Sequence, residues 1–594
     1  MPRPPSDEYE ERLKSRESRV AHYDKLHIRI GNVRLWVAVA TAVAGWWSIR
    51  RHAFAPWWLL VPAAAFGAVV LYHARVLRAR FCAQRAVAVY RNGLARIQDL
   101  WAGKGRSGER FDVPHHVYAA DLDLFGKGSL FELLSTARTR MGEDALAQWL
   151  LSPSRIEEIR ERHGAVSELR DQLDFREELA VLGEDSGVGI YPEALLAWAG
   201  TPNRLNQRWM RWLAPLLAVL AVGSALVWGL SGIRTPFLVV VVIGGLITYS
   251  LRQHLAEIFY ATEHAFENLD LLCAILARLE REQFIAPRLQ ALRRDLTSHN
   301  LEGSQAIARL RTIVQFIESR RNPILRVLDV PLLYSVQVAF AAEAWRRAHG
   351  DAVRSWLNVT GEIEAIVSLA AYSYEHPADP FPEFVDGPAS FRSEQLGHPL
   401  IPAAKCVRNS VRIGGETRVL LVSGSNMSGK STLLRAVGIN TVLAMAGAPV
   451  RARHLQLTPL QVGASIRIND SLHEGNSRFY SEITRLRQIY DLAIHSPTLL
   501  FLLDELLQGT NSKDRRIGAE GIVRAFVEQR AIGLISTHDL ALTDIRGLAD
   551  SNLHNVHFQD EIENGKMRFD FTLREGVVTK SNGLELMRSI GLKV

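Results

Sequence analysis

The residues of this chain best suited to chemistry fall between positions 419 and 540. Val419-Leu-Leu-Val-Ser has the make-up of a short buried strand, and it runs straight into Gly424-Ser425-Asn426-Met427-Ser428-Gly429-Lys430-Ser431-Thr432. Glycines at 424 and 429 let a loop curl until its backbone N–H groups surround an anion, and a helix opening at Lys430 adds the positive end of its dipole. Lys430 is placed to reach the outer phosphates of a nucleoside triphosphate, and the Ser431 hydroxyl to ligate Mg²⁺. The pattern G-x-x-x-x-G-K-[ST] is specific here because a strand precedes it and a helix follows. ATP with Mg²⁺ is the expected ligand, held by residues 424 to 432.

Some seventy residues on, Leu499-Leu-Phe-Leu-Leu-Asp504-Glu505 is an apolar strand ending in two acids. Alone it would be an ordinary strand end. After a phosphate loop, Asp504 is expected in the Mg²⁺ shell, and Glu505 is expected to orient or deprotonate the attacking water. Leu534-Ile-Ser-Thr537-His538 is a further strand, ending in a histidine placed to sense the γ-phosphate. The catalytic set expected is therefore Lys430, Glu505 and His538, with Ser431 and Asp504 on the metal.

These strands need a scaffold, and the composition indicates which. From about Pro377 onward, β-branched runs such as Val411-Arg-Ile and Gly533-Leu-Ile-Ser alternate with helical segments, which predicts an α/β domain with a largely parallel sheet over 377–594. Before it, residues 121–211 and 252–376 carry apolar positions at helical spacing and predict an all-α core and lever in two parts. A charged helix is expected over 1–30 and a helical linker over 75–120, marked by Gly103, Gly105 and Gly108.

Four segments lack any charged residue: Leu35 to Ile49, Ala53 to Tyr72, Trp212 to Ile233 and Thr235 to Leu251. Joined by Arg50-Arg51-His52 and by Arg234, they predict two transmembrane helical hairpins, over 31–74 and 212–251. The alternative is core helices of a large soluble protein. The first segment is short for a bilayer, although Arg34 and Arg50 can snorkel at its ends. Tryptophans such as Trp36, Trp46, Trp57, Trp212 and Trp228 cluster towards segment ends, where interfacial aromatics sit.

The net charge of +7 is uneven: residues 1–110 hold 19 Lys/Arg against 8 Asp/Glu, and the remainder is slightly acidic. The basic excess thus flanks the apolar segments, where a membrane account competes with a nucleic-acid one. A multi-pass protein of the bacterial inner membrane is expected, with both termini and the nucleotide domain in the cytoplasm. Cys82, Cys273 and Cys406 stand far apart, which argues against a disulfide framework or a zinc site.

The motif set resembles the MutS mismatch-repair family within the ABC-type P-loop ATPases. The Asn426-Met427 pair, the Arg435 that follows, Gly475-Asn-Ser477-Arg-Phe479 with Glu482, Asp504-Glu505 before Gly509-Thr510-Asn511-Ser512, Ser536-Thr537-His538 and Gly397-His398-Pro399-Leu400 are similar to that family's elements. So are Thr139-Arg-Met-Gly142 and Leu150-Leu-Ser-Pro153 in the helical region. The resemblance implies a homodimer through the ATPase domain, with Ser477 touching the γ-phosphate of the opposite subunit. It also implies binding to double-stranded or branched DNA.

The departures are as telling. No domain of the mismatch-reading type is expected over 1–110, and the Phe-x-Glu occurrences at Phe175, Phe381 and Phe526 fall in the core and ATPase regions. Leu507 and Gln508 stand where repair members usually carry Gly and Arg, and no helix-turn-helix or nuclease domain is expected after the ATPase domain. The expectation is a membrane-anchored, MutS-like, dimeric ATP-driven switch acting on DNA. The alternative is an ATP-driven remodelling, transport or regulatory protein that does not act on DNA, with an unknown protein partner.

Overall fold

A computed structural model describes residues 3–51, 55–182, 192–202, 205, 209–263, 269–297, 302–320, 322–467, 478–495, 498–538, 552–563 and 566–578. The chain is mostly helical, with α/β sheets towards its C-terminus. In chain order the helices before the sheets are α1 (Pro5–Arg51), α2 (Leu60–Ile97), α3 (Leu130–Leu134), α4 (Arg140–Leu151), α5 (Ile156–Arg170), α6 (Leu173–Leu182) and α7 (Pro192–Ala199). There follow α8 (Met210–Ser231), α9 (Thr235–Glu263), α10 (Leu269–Arg281), α11 (Pro287–Thr297), α12 (Gly303–Ser319), α13 (Pro323–Leu332) and α14 (Tyr334–Glu375). The remainder comprises β1 (Glu383–Phe384), β2 (Ser390–Leu396), β3 (Asn409–Gly414), β4 (Val419–Ser423), α15 (Lys430–Ala446), β5 (His454–Leu457) and β6 (Gln461–Ser465). After these come α16 (Arg478–His495), β7 (Leu499–Asp504), α17 (Ser512–Glu528), β8 (Ile532–Thr537), β9 (Leu553–Glu563) and β10 (Lys566–Glu575).

Two compact units emerge, and their limits are not those of the anticipated segments. One gathers Met1–Thr136, Leu146–Glu177 and Ile366–Val594; the other gathers Ala137–Ala145 and Glu178–Ala365. Much of the region expected as helical core thus joins the sheet-bearing unit. The cause is local: α5 docks on the end of α15, where Arg162 donates to the Ala446 carbonyl at 3.0 Å and the Ser154 N–H donates to Met445 at 3.2 Å.

In the sheet-bearing unit, a six-stranded sheet has the order β10-β9-β4-β8-β7-β6, parallel throughout except for the β9–β10 hairpin. A smaller sheet, β1-β5-β2-β3, is mostly antiparallel. Strands β4, β7 and β8 are apolar on both faces because helices cover both. Val419, Leu421, Leu499, Phe501 and Leu503 face Ile489 of α16 and Val523 and Phe526 of α17. On the other face α15 approaches so closely that a Cβ at Gly438 would lie 2.6 Å from Leu502.

The charged N-terminal helix does not end at residue 30. It continues without a break through the first apolar segment as α1: no proline lies between Ile28 and Leu35, and the cost of Gly31 and Asn32 is about 1 kcal/mol or less each, too small to stop a helix of this length. It lies along α2, held by ion pairs of Arg80 with Asp24 and Arg91 with Glu17. Near its start Tyr9 donates to Glu375 at 3.3 Å, and Glu375 takes both nitrogens of Arg96 at 2.7 and 2.5 Å. Glu177 of the Phe175-Arg-Glu177 triplet is bound by Arg16 at 2.7 and 2.9 Å and by the Tyr90 hydroxyl, so its role is structural.

The expected helical linker is likewise corrected: the long helix ends at Ile97, and 98–129 is irregular apart from a 3-10 turn at Glu109–Phe111, anchored at Trp101 and buried again from Tyr118. Gly108 is left-handed (φ 68°), and a side chain there would strike Phe131 at 2.6 Å; the Gly105 N–H donates to Glu132 at 2.9 Å. The glycines permit close packing rather than freedom.

The all-α unit is organised around buried polar contacts as well as leucines. Glu364, buried on α14, accepts from the Thr139 N–H at 3.1 Å, the Thr139 hydroxyl at 2.5 Å and the Arg138 N–H at 3.3 Å. Thr139 in turn caps α4 by accepting from the Gly142 N–H at 3.2 Å. A Cβ at Gly142 would lie 2.3 Å from the Glu364 carboxylate. This explains the Thr-Arg-Met-Gly quartet physically. Thr139→Val is expected to lower stability by about 1–3 kcal/mol, since it removes a helix cap and a partner of a buried carboxyl. Thr139→Ser should keep most of it, and unfolding midpoints in urea measure both.

Candidate functional site

Strands β4, β7 and β8 are adjacent and parallel, so their carboxyl ends meet along one edge. In open α/β sheets this edge, where neighbouring connections diverge, is where ligands bind. From β4 the chain enters the loop 424–429 through Gly424 (φ 150°), turns left-handed at Met427 (φ 70°) and Gly429 (φ 106°), and starts α15 at Lys430. Gly424 is obligatory here: a Cβ would lie 2.8 Å from the Ser428 hydroxyl and 3.1 Å from the Phe558 carbonyl of the neighbouring β9. Met427 is 85% exposed at the loop's crest.

Lys430 is buried, and its ammonium donates to the carbonyls of Gly424 at 2.9 Å and Ser425 at 2.8 Å. Burial lowers its pKa from the ordinary lysine value, opposed by the carboxylates of Glu505, Asp504 and Asp560. The hydroxyls of Ser425 and Ser428 are buried without a hydrogen-bond partner. A buried cation in the field of three carboxylates, beside two orphan hydroxyls, suits the oxygens of a phosphate chain and an accompanying divalent metal. Ser431 follows on the first turn of α15 and Thr432 stands exposed beside it; Asn426 is exposed in the loop. Among the described residues no group of three or more His, Cys, Asp and Glu could hold a metal by itself. A metal here would therefore rest on Ser431, Asp504 and phosphate oxygens.

Asp504 ends β7 and receives the hydroxyl of Ser536 on β8. The chain then turns left-handed at Glu505 (φ 50°), whose N–H donates to the Ser536 carbonyl and hydroxyl, both at 3.2 Å. Such a backbone is costly for a residue with a side chain and is held by its surroundings. Here the holder is Glu482 of α16, buried, whose carboxylate accepts the Leu507 N–H at 2.6 Å. The Glu505 carboxylate is gripped on one oxygen by the Gln508 amide and on the other by His538 Nδ1 at 3.3 Å. Lys430, Asp504, Glu505 and His538 thus share one edge. Ser477, with Gly475 and Asn476 before it, lies outside the described residues.

The loop's anchorage was not anticipated. Asp121 is buried, and one of its oxygens accepts the N–H groups of both Ile466 and Arg467 at 2.6 and 2.7 Å, just after β6. Burial raises its pKa, while those two N–H groups oppose the shift. Asp123 binds Arg467 and, at 3.4 Å, Arg435 of α15. The available signal was Ala120-Asp-Leu-Asp-Leu, where two acids alternate with Leu122 and Leu124, both wholly buried. Acids interleaved with core leucines have to be paired.

With this geometry in place, comparison with known proteins decides the family. The family model for MutS domain V matches residues 420–593, and that for MutS domain III matches residues 118–186. The chain belongs to the MutS family. Among its relatives, the MutS-family protein "Endonuclease MutS2" of Thermus thermophilus is 28% identical over 355 residues, covering 58% of this chain and 44% of that protein. "DNA mismatch repair protein MSH6" of Arabidopsis thaliana is 28% identical over 263 residues, 41% of this chain and 20% of that protein. The chain thus spans less than half the length of either relative. The domain V match covers the strand–loop–helix at Lys430, the Asp504-Glu505 turn and His538, and the domain III match covers Asp121 and the Thr139 quartet.

Proposed function

We propose that this MutS-family chain is a membrane-anchored ATPase that works as a dimeric switch on DNA. The observation that carries the reading is the convergence of Lys430, Asp504, Glu505 and His538 on the carboxyl edge of the parallel sheet. Lys430 neutralises the outer phosphates, Glu505 takes a proton from the attacking water, and His538 fixes the Glu505 carboxylate from the side, while Ser431 and Asp504 would hold the Mg²⁺. Magnesium, when bound, would screen the phosphate charge that develops as the terminal bond breaks. Ser477 of a second copy completes each site, so ATP closes the dimer and hydrolysis releases it.

DNA enters through the relatives, which are named as an endonuclease and a mismatch-repair protein. Duplex or branched DNA is expected to stimulate ATP turnover of the full chain in detergent. The effect should fade as salt rises, because phosphate contacts release counterions. An ATPase rate indifferent to DNA even at low salt would remove the DNA reading.

Four helices, within Pro5–Arg50, Trp57–Ile97, Met210–Ser231 and Thr235–Tyr260, are long and apolar enough to cross a membrane. Their outward faces are apolar too: Trp36, Trp212, Val219 and Leu246 are each more than 60% exposed, a surface that water would not tolerate in bulk. We place them in a bacterial inner membrane with the sheet-bearing unit in the cytoplasm. The protein is then expected to remain in the membrane pellet through alkaline carbonate extraction and to leave it only with detergent; release by carbonate would defeat the anchoring. These same faces favour the second reading, ATP-driven remodelling, transport or regulation of a membrane partner. ATP-dependent flux in liposomes with no response to DNA would select it.

A further inference from the structure

We infer that α13, with the turn that joins it to α14, is inserted in the cytoplasmic leaflet of the bilayer as a re-entrant wedge against α9. The inference rests on the membrane reading of α8 and α9. Both helices flank α13, and α9 carries adjacent glycines at 244 and 245. A Cβ at Gly244 would lie 2.8 Å from the Val330 carbonyl, and one at Gly245 3.7 Å from the Val330 side chain. Bare backbone on a membrane helix is how another element is brought into close contact there. Gly244 stands eight residues inside Arg252, hence about 12 Å into the charge-free stretch at ~1.5 Å per residue. Below it, Leu333, Val336, Ala339 and Phe340 of the turn and α14 continue the contact with Leu251, Leu255 and Ile258 of α9 and with Ala214 and Leu217 of α8.

The turn between α13 and α14 bends by 76°, with Leu333 left-handed (φ 49°). Several of its polar groups find partners within the turn itself. Asp329 accepts the N–H and hydroxyl of Ser335, both at 2.7 Å, Gln337 donates to the Leu332 carbonyl at 2.7 Å, and the Leu333 N–H donates to Val330 at 3.4 Å. A broken helix at membrane depth requires this closure, since no water is there to help. The outward side of α13 is apolar where it faces away from α9: Val327 is 76% exposed and Leu328 40%. Arg326 beside them has a stem long enough to carry its guanidinium to the headgroups. Acyl chains are the occupant that suits this face, because Val327 lies one helical turn before Val330, which meets Gly244 within the charge-free stretch of α9.

The test uses the full chain with Cys82, Cys273 and Cys406 replaced by serine. An environment-sensitive fluorophore is placed on Val327→Cys, on Val219→Cys of α8, or on Ile517→Cys of α17, in nanodiscs of phosphatidylcholine and phosphatidylglycerol. The lipids carry a nitroxide on the acyl chain. The expected result is quenching at 327 to the extent seen at 219, with none at 517. Adding Gly244→Leu should then lower quenching at 327 and leave that at 219 intact. Quenching at 219 without quenching at 327 overturns the inference and leaves the membrane reading standing; quenching at neither position removes that reading as well. Cross-linking of 327 to 327 between copies, without quenching, would assign the face to a second copy and also overturn it.

Discussion

Lys430→Ala is expected to abolish nucleotide binding. The ammonium is held in the loop by the carbonyls of Gly424 and Ser425, and its neighbours Asp504, Glu505 and Asp560 are all negative. Removing it leaves a triphosphate facing three carboxylates. Two charge-assisted contacts of about 1.5–3 kcal/mol each are lost, which corresponds to roughly 10²–10⁴ in affinity. Titration with a fluorescent ATP analogue, with and without Mg²⁺, measures this. Since Lys430 also ties down Gly424 and Ser425, far-UV circular dichroism should accompany the titration, to separate a collapsed loop from a lost contact. Binding within tenfold of the unaltered chain would contradict the assignment.

Glu505→Gln is expected to do the opposite: it binds ATP and fails to hydrolyse it. The replacement keeps the size of the side chain and its turn on β7, but the amide cannot accept a proton from water. A loss of about 10²–10⁴ in turnover is anticipated from the contribution of general bases. The ATP-bound dimer should then accumulate and be visible by light scattering, whereas the unaltered chain passes through it. The Gln508 amide and His538 both engage Glu505, so they share in placing it. Normal turnover by Glu505→Gln would mean that another group activates the water.

The strand–loop–helix at Lys430 was legible because it is a property of contiguous backbone. Glycines at fixed spacing, an apolar run before them and a helix after them leave few alternatives. The acids at 504 and 505 and the histidine at 538 were legible for a related reason: each terminates an apolar strand, and parallel strands bring their ends to one edge. Asp121 was not. Its partners, Ile466 and Arg467, are some 345 residues away, and no local spacing announces which backbone a lone buried acid will hold. The limits of the two units were hidden for the same reason. Amphipathic spacing tells that α5 buries a face, and only the Arg162 and Ser154 contacts tell that the face meets α15. Glycine was misleading in the irregular stretch after α2, where composition points to a flexible connector and packing against Phe131 requires the missing side chain.

The unbroken course of α1 has a mechanical consequence. Its 47 residues make a rod of roughly 70 Å at ~1.5 Å per residue, half charged and half apolar. A rod of that length tilting by about 5° shifts its far end by about 6 Å, close to the pitch of one helical turn. Since Tyr9 near one end is fastened to Glu375, just ahead of the first strand of the sheet-bearing unit, small rocking at the apolar end becomes a displacement comparable to the reach of a side chain at the other. On the membrane reading proposed for α1, a bilayer that thickens, thins or bends around its apolar half would be felt at that joint as leverage.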